Sequence, residues 1–123
     1  MATLNDRVLD NGLSILQSEG DRVDICSSEP TTYSAATSSA SLGNTTSITI
    51  SAPADASPNG RKVTLSAITG ASVTSTGTAT HYAITDVSES RLLATGALSS
   101  SQAVTSGNTF SLTASDIRIP DPA

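Results

Sequence analysis

The residues able to do chemistry are few and scattered. His81 is the only histidine and Cys26 the only cysteine. A Ser-His-Asp relay needs a serine on a strained turn beside the imidazole, and the chain has no Gly-x-Ser-x-Gly to supply one. Serine and threonine make up about a third of the residues, so a hydroxyl near His81 carries little information, and His81 reads as a residue on the outer face of a strand. Zinc requires several Cys or His ligands, more than the chain holds. The carboxylates Asp21 and Asp24, or Asp86 and Glu89, could meet calcium only with carbonyl help, and no Asp-x-Asp-x-Asp-Gly loop surrounds them. Asn44-Thr45-Thr46 spells a glycosylation triplet, which a threonine-rich chain produces by chance. There is no glycine-rich phosphate loop. The expectation is a non-enzymatic protein with no catalytic residue, no cofactor and no metal site.

The elements that would carry these residues are mainly strands. From Gly77 to Leu98 the chain reads as a hairpin: Thr80, Tyr82 and Ile84 share one face, His81, Ala83 and Thr85 the other. After the polar Asp86–Ser90 connection, Leu92, Ala94, Gly96 and Leu98 share a face on the way back. Period-two alternation of this length predicts half-buried strands. Further strands are expected over Arg22–Ser27, Thr46–Ile50, Arg61–Ala67 (Val63, Leu65 and Ala67 inward), Asn108–Thr113 (Phe110 and Leu112 inward) and Asp116–Ile119. Ile68–Ala71 reads as a turn, with a strand continuing over Ser72–Ser75 through Val73, and Ser99–Gly107 as a polar connection with a short strand at Ala103 and Val104. About seven or eight short strands, spaced some ten residues apart, predict one small antiparallel β-sandwich over residues 46–119. The whole of 1–123 is read as one domain.

The one helical signal covers 5–19. Asn5 is a good N-cap, Asp6 puts negative charge in the first turn, and Gly20 is a natural stop. Leu9, Leu13 and Leu16 fall on one face, so this amphipathic helix must dock, either on its own sandwich or on a neighbouring subunit. Alternation in the strand after it places Cys26 on the polar face, toward solvent or an interface. The plainer reading of a lone cysteine is a small, semi-buried hydrophobe; the sharper one is an interchain cross-link or metal contact. From 27 to 44 all pattern vanishes. Glu29-Pro30 breaks the chain, and the Ser/Ala/Thr-rich remainder predicts a long exposed loop or arm. Leu9, Leu13, Leu16, Cys26, Pro30 and Tyr33 are therefore the candidate interface residues.

Composition excludes several classes. The net charge is −5, and of six basic residues only Arg61-Lys62 are adjacent, so a phosphate-binding patch and a nucleic-acid partner are not expected. No apolar run approaches the ~18 residues of a membrane span, and Met1–Arg7 lacks the basic start and apolar run of a signal peptide. With one cysteine, no internal disulfide can form. At 37% hydrophobic residues the chain is too apolar, and too modestly charged, for a disordered one.

Several phrases, Asn5-Asp-Arg-Val-Leu-Asp-Asn-Gly-Leu-Ser, Asp24-Ile-Cys-Ser-Ser-Glu-Pro-Thr-Thr-Tyr, Gly77-Thr-Ala-Thr-His-Tyr-Ala, Ser90-Arg-Leu-Leu-Ala-Thr-Gly and Asp116-Ile-Arg-Ile-Pro, resemble short virion-associated proteins of tailed bacteriophages. The resemblance lies in texture and phrase and carries no catalytic motif. It implies a small β-rich virion structural protein, made in the host cytoplasm and incorporated into the particle. Its partners would be the major capsid protein or other virion proteins, and copies of itself. The reading it favours is a capsid decoration (cement) subunit bridging neighbouring capsid proteins. The alternatives are a collar, tail or fibre-attachment component, or a carbohydrate- or receptor-binding β-module, for which the absence of Trp is a disadvantage.

Overall fold

A computed structural model describes residues 13–55 and 61–119. Among them a short helix, α1 (Ser14–Glu19), precedes nine strands: β1 (Arg22–Cys26), β2 (Ser41–Thr45), β3 (Ala54–Asp55), β4 (Arg61–Leu65), β5 (Ile68–Val73), β6 (Gly77–Asp86), β7 (Arg91–Val104), β8 (Thr109–Leu112) and β9 (Ser115–Ile119). A larger sheet has the order β7-β6-β1-β2-β5-β8 and a smaller one β3-β4-β9. Every neighbouring pair is antiparallel. The fold is mainly β, as the alternation predicts.

The core lies where the sheets and α1 meet. Val23, Ile25 and Ile84 from the larger sheet, Val63 and Leu65 from the smaller, and Leu13 and Leu16 beside and within α1 belong to one apolar cluster. The expected hairpin is present as β6 and β7. At its turn the Asp86 carboxylate accepts hydrogen bonds from the Ser88 hydroxyl (2.8 Å) and the Glu89 N–H (3.4 Å), the local capping for which Asp is favoured in turns. Ser90 takes the left-handed conformation, φ 52°. Phe110 and Leu112 are inward as read, and β9 falls where expected.

The structure departs from the sequence reading in several places. The segment 27–44 is not an extended arm. The Ser27 N–H donates to the Ala40 carbonyl (3.0 Å), closing the base of a compact loop of the Ω kind. Within it Ala35–Ser39 form a π-helical turn, and Ala36 and Ala40 are buried against Cys26 and Ala83 on the sheet's second face. Small side chains let the loop backbone lie close to the sheet, but they leave no periodicity to read. The strand expected at 46–50 is displaced: Ser41–Thr45 joins the ladder, and only Ile50 bridges, to Leu65. The contacts of Ser41 and the burial of Leu42 outweigh the better strand propensity of the later segment. Ile68–Ala71 is not a turn but the bulged start of β5, where Gly70, at φ 68°, supplies the turn-like backbone that its sequence suggests. Ala103 and Val104 are strand as read, but Ser99–Gln102 also continue β7 rather than forming a connection, and Ala67 is exposed. Of the helix expected at 5–19, Ser14–Glu19 is helical; residues 5–12, Leu9 among them, lie outside the described residues.

Candidate functional site

The residues named from sequence as an interface do not form one exposed face. Leu13 and Leu16 are 3% and 1% exposed and pack into the chain's own core. Cys26 is fully buried beneath the 27–40 loop. Pro30 is buried and Tyr33 half-buried. Alternation puts Cys26 on a polar, outward face because it assumes one dry side; β1 is covered on both, and Cys26 is buried as the small hydrophobe of the plainer reading.

Under that loop lies a polar cluster. Asp24, fully buried, accepts two hydrogen bonds from the Arg22 guanidinium (2.8 and 3.0 Å) and one from the Ser41 hydroxyl (2.6 Å). The bond to Asp24 raises the Arg22 pKa against the opposing effect of burial. The Cys26 thiol points to the Ala36 carbonyl (3.7 Å). Burial first, and then the nearby Asp24 charge, push its pKa up to about 12. A thiol so held is protonated and a poor nucleophile. His81, opposite Cys26 in the ladder, bonds the Thr80 hydroxyl through Nδ1 (2.9 Å) and stands 3.8 Å from the Glu29 carboxylate. These groups fasten the loop: Thr80 donates to the Ser27 carbonyl (3.0 Å) and Thr95 to Glu29 (3.4 Å). Among the described residues no three His, Cys, Asp or Glu side chains cluster as a metal site, and no helix is long and apolar enough to cross a membrane.

The open feature is elsewhere, between the two ends of the larger sheet. β7 and β8 are its first and last strands, yet they follow one another in the chain through a tight turn in which the Asn108 N–H donates to the Thr105 carbonyl (3.0 Å). The sheet therefore curls until its edges face each other. They do not pair: no ladder joins β7 to β8 among the described residues, and a side chain spans the seam instead, the Gln102 amide donating to the Ser111 carbonyl (3.0 Å). A groove of about 560 Å³ opens beside this brace. Ala97, Ser99, Ser100 and Thr113 are among its lining residues, with Ile68 and Leu112 as apolar contributions.

Two features shape the groove. Tyr82 contributes its ring, and burial raises its pKa while a hydrogen bond with Ser115 lowers it. The β6–β7 register also slips. One step pairs His81 with Ala97 and another pairs Ala79 with Gln102, so Leu98–Ser101 bulge out of the ladder. Bulges are a recognised way of re-aiming a strand at an edge or rim.

The sequence held one signal for this site that alternation does not register. No Asp, Glu, Lys or Arg occurs between Arg91 and Asp116, the stretch that holds β8 and all of β7 after its first residue. Edge strands are usually guarded by charge. β9, an edge of the smaller sheet, carries Asp116 and Arg118, and Asp116 is bonded to Lys62 (3.0 Å) and Thr64 (2.8 Å). The bond from Thr64, and then that from Lys62, lower the Asp116 pKa.

No protein-family model, no curated protein and no solved structure matches this chain.

Proposed function

We propose that this chain is a non-enzymatic structural protein of a tailed-bacteriophage virion, a capsid decoration subunit that bridges neighbouring capsid proteins. The two antiparallel sheets are the layers of a small β-sandwich that serves as a rigid spacer. The observation that carries the reading is the pair of strand edges formed by β8 and by β7 beyond Arg91, which carry no charge and have no ladder partner among the described residues. Such edges are a hazard in a protein that works alone and are useful in one that works by joining other chains. The mild negative charge, −5, and the hydroxyl-rich surface keep free copies soluble until they meet the scaffold. The resemblance in sequence texture to virion-associated phage proteins supplies the setting. Imaging of intact particles tests it. A regular set of copies on the head lattice supports the proposal; confinement to the tail, or absence from the particle, overturns it.

A further inference from the structure

We infer that the groove between β7 and β8 receives one extended strand from a different polypeptide, with an uncharged inserted segment flanked by basic residues. The inference rests on the structural reading above for the class of partner, but not for the chemistry of the groove.

The first argument is the open seam. Among the described residues no ladder joins β7 to β8, and what crosses between them is a side chain, the Gln102 amide donating to the Ser111 carbonyl (3.0 Å). The groove of about 560 Å³ beside that brace is open space in which an extended segment can lie. The second argument is hydrogen bonding. The outward edges of β7 and β8 have no ladder partner among the described residues, and Leu98–Ser101 bulge away from β6 as well. An extended peptide bonds such edges through its own backbone, and small residues such as Ala97, Ser99, Ser100 and Thr113 leave space for its side chains.

Charge selects the occupant. Among the described residues the groove lining has no ionised side chain, so a charged residue inserted there would lose water without gaining a partner from them. Outside the groove the protein carries a net charge of −5. A second copy carries the same charge and is repelled, whereas basic residues on either side of an uncharged strand are attracted. Gln102 then acts as a brace that the incoming strand displaces, its single bond being replaced by several main-chain ones.

The test uses the full chain and the capped peptide Lys-Thr-Val-Ser-Val-Thr-Val-Lys, with amide hydrogen exchange read residue by residue. The expected result is slowed exchange at 98–101 and 111–113 on adding peptide. A version N-methylated at alternate residues, which cannot bond one edge, should bind about tenfold more weakly. Ser100→Pro, which removes an edge donor outside the β6 ladder, should weaken the unmodified peptide similarly, while Gln102→Ala binds it at least as tightly. If Ser100→Pro fails to fold, the N-methylated peptide on the unchanged protein makes the same measurement. No slowing at these amides with saturating peptide, or equal binding of the N-methylated version, overturns the inference. Slowing that depends on protein concentration without peptide, with the mass of a dimer, assigns the groove to a second copy and overturns the choice of partner. These outcomes are independent of where the protein sits in a particle, so a failed groove and a failed virion assignment are separable.

Discussion

The ring of Tyr82 packs against the bare Cα of Gly96, its partner across the β6–β7 ladder: a Cβ placed on Gly96 would stand 2.6 Å from the ring Cε1, Cζ and Oη atoms. An aromatic ring covering a cross-strand glycine supplies the packing that the glycine lacks. Tyr82 is only 6% exposed, so it has little room to retreat. Gly96→Ala is expected to destabilise the fold by about 2 kcal/mol through overpacking, seen as a lower urea midpoint with unchanged m-value. Tyr82→Phe, which loses the bond with Ser115 but keeps the ring, should cost about 1 kcal/mol.

The Arg22–Asp24–Ser41 cluster should matter more than any exposed ion pair. Asp24 is fully buried, and its carboxylate depends on three donated hydrogen bonds. Asp24→Ala removes the group they converge on and frees the Arg22 guanidinium, which also reaches the Thr37 carbonyl (3.5 Å). Breaking a buried pair on one side costs about 3 kcal/mol. The loss should be accompanied by faster amide exchange throughout 33–40, since the cluster holds that loop down. Disrupting the exposed Lys62–Asp116 pair with Lys62→Met should change stability far less, because solvent screens the pair.

Thr85 offers the opposite sign. It is fully buried, and its hydroxyl finds no hydrogen-bond partner among the described residues. A buried donor left unsatisfied costs about 1–3 kcal/mol. Thr85→Val keeps the β-branched shape that suits a strand and removes the orphan. The variant should be more stable than the parent by about 1 kcal/mol, measured by thermal and urea unfolding; a less stable variant would show that the hydroxyl has a partner in solution.

Cys26 makes stability depend on alkaline pH. Its pKa rises from 9.0 to about 12 on folding, so between those values the folded chain holds a proton that the unfolded chain has lost. The contribution is fully present below pH 9 and is lost progressively as pH rises toward 12. Tyr82, also raised, acts in the same direction. Unfolding free energy should therefore fall from pH 8 to 11, and Cys26→Ala should flatten the part due to the thiol while leaving that due to Tyr82. At neutral pH a maleimide should label Cys26 only as fast as the 27–40 loop opens.

Strands with one dry side could be read directly from the order of residues. Val63 and Leu65, Phe110 and Leu112, and the β6–β7 hairpin with its Asp86 turn were legible because burial of one face writes a period of two into the residue order. Leu13 and Leu16 were legible as apolar residues that had to dock, and of the two partners open to them, the chain's own sandwich or a neighbouring subunit, the fold takes the first. How the remaining surfaces are covered, and where the sheet ends, emerged from the folded chain alone. Ala36 and Ala40 lie on the second face of β1 and bury Cys26, yet alanine in a Ser/Thr-rich stretch carries no period. Ser41–Thr45 enters the ladder because Asp24 on β1 needs the Ser41 hydroxyl, a partner 17 residues away. The gap between β7 and β8 follows from the curl of six strands and from the bulge at Leu98–Ser101, which no single strand encodes. Alternation records whether a residue faces water; pairing, bulging and closure depend on contacts between segments far apart in the chain, and these leave no local trace.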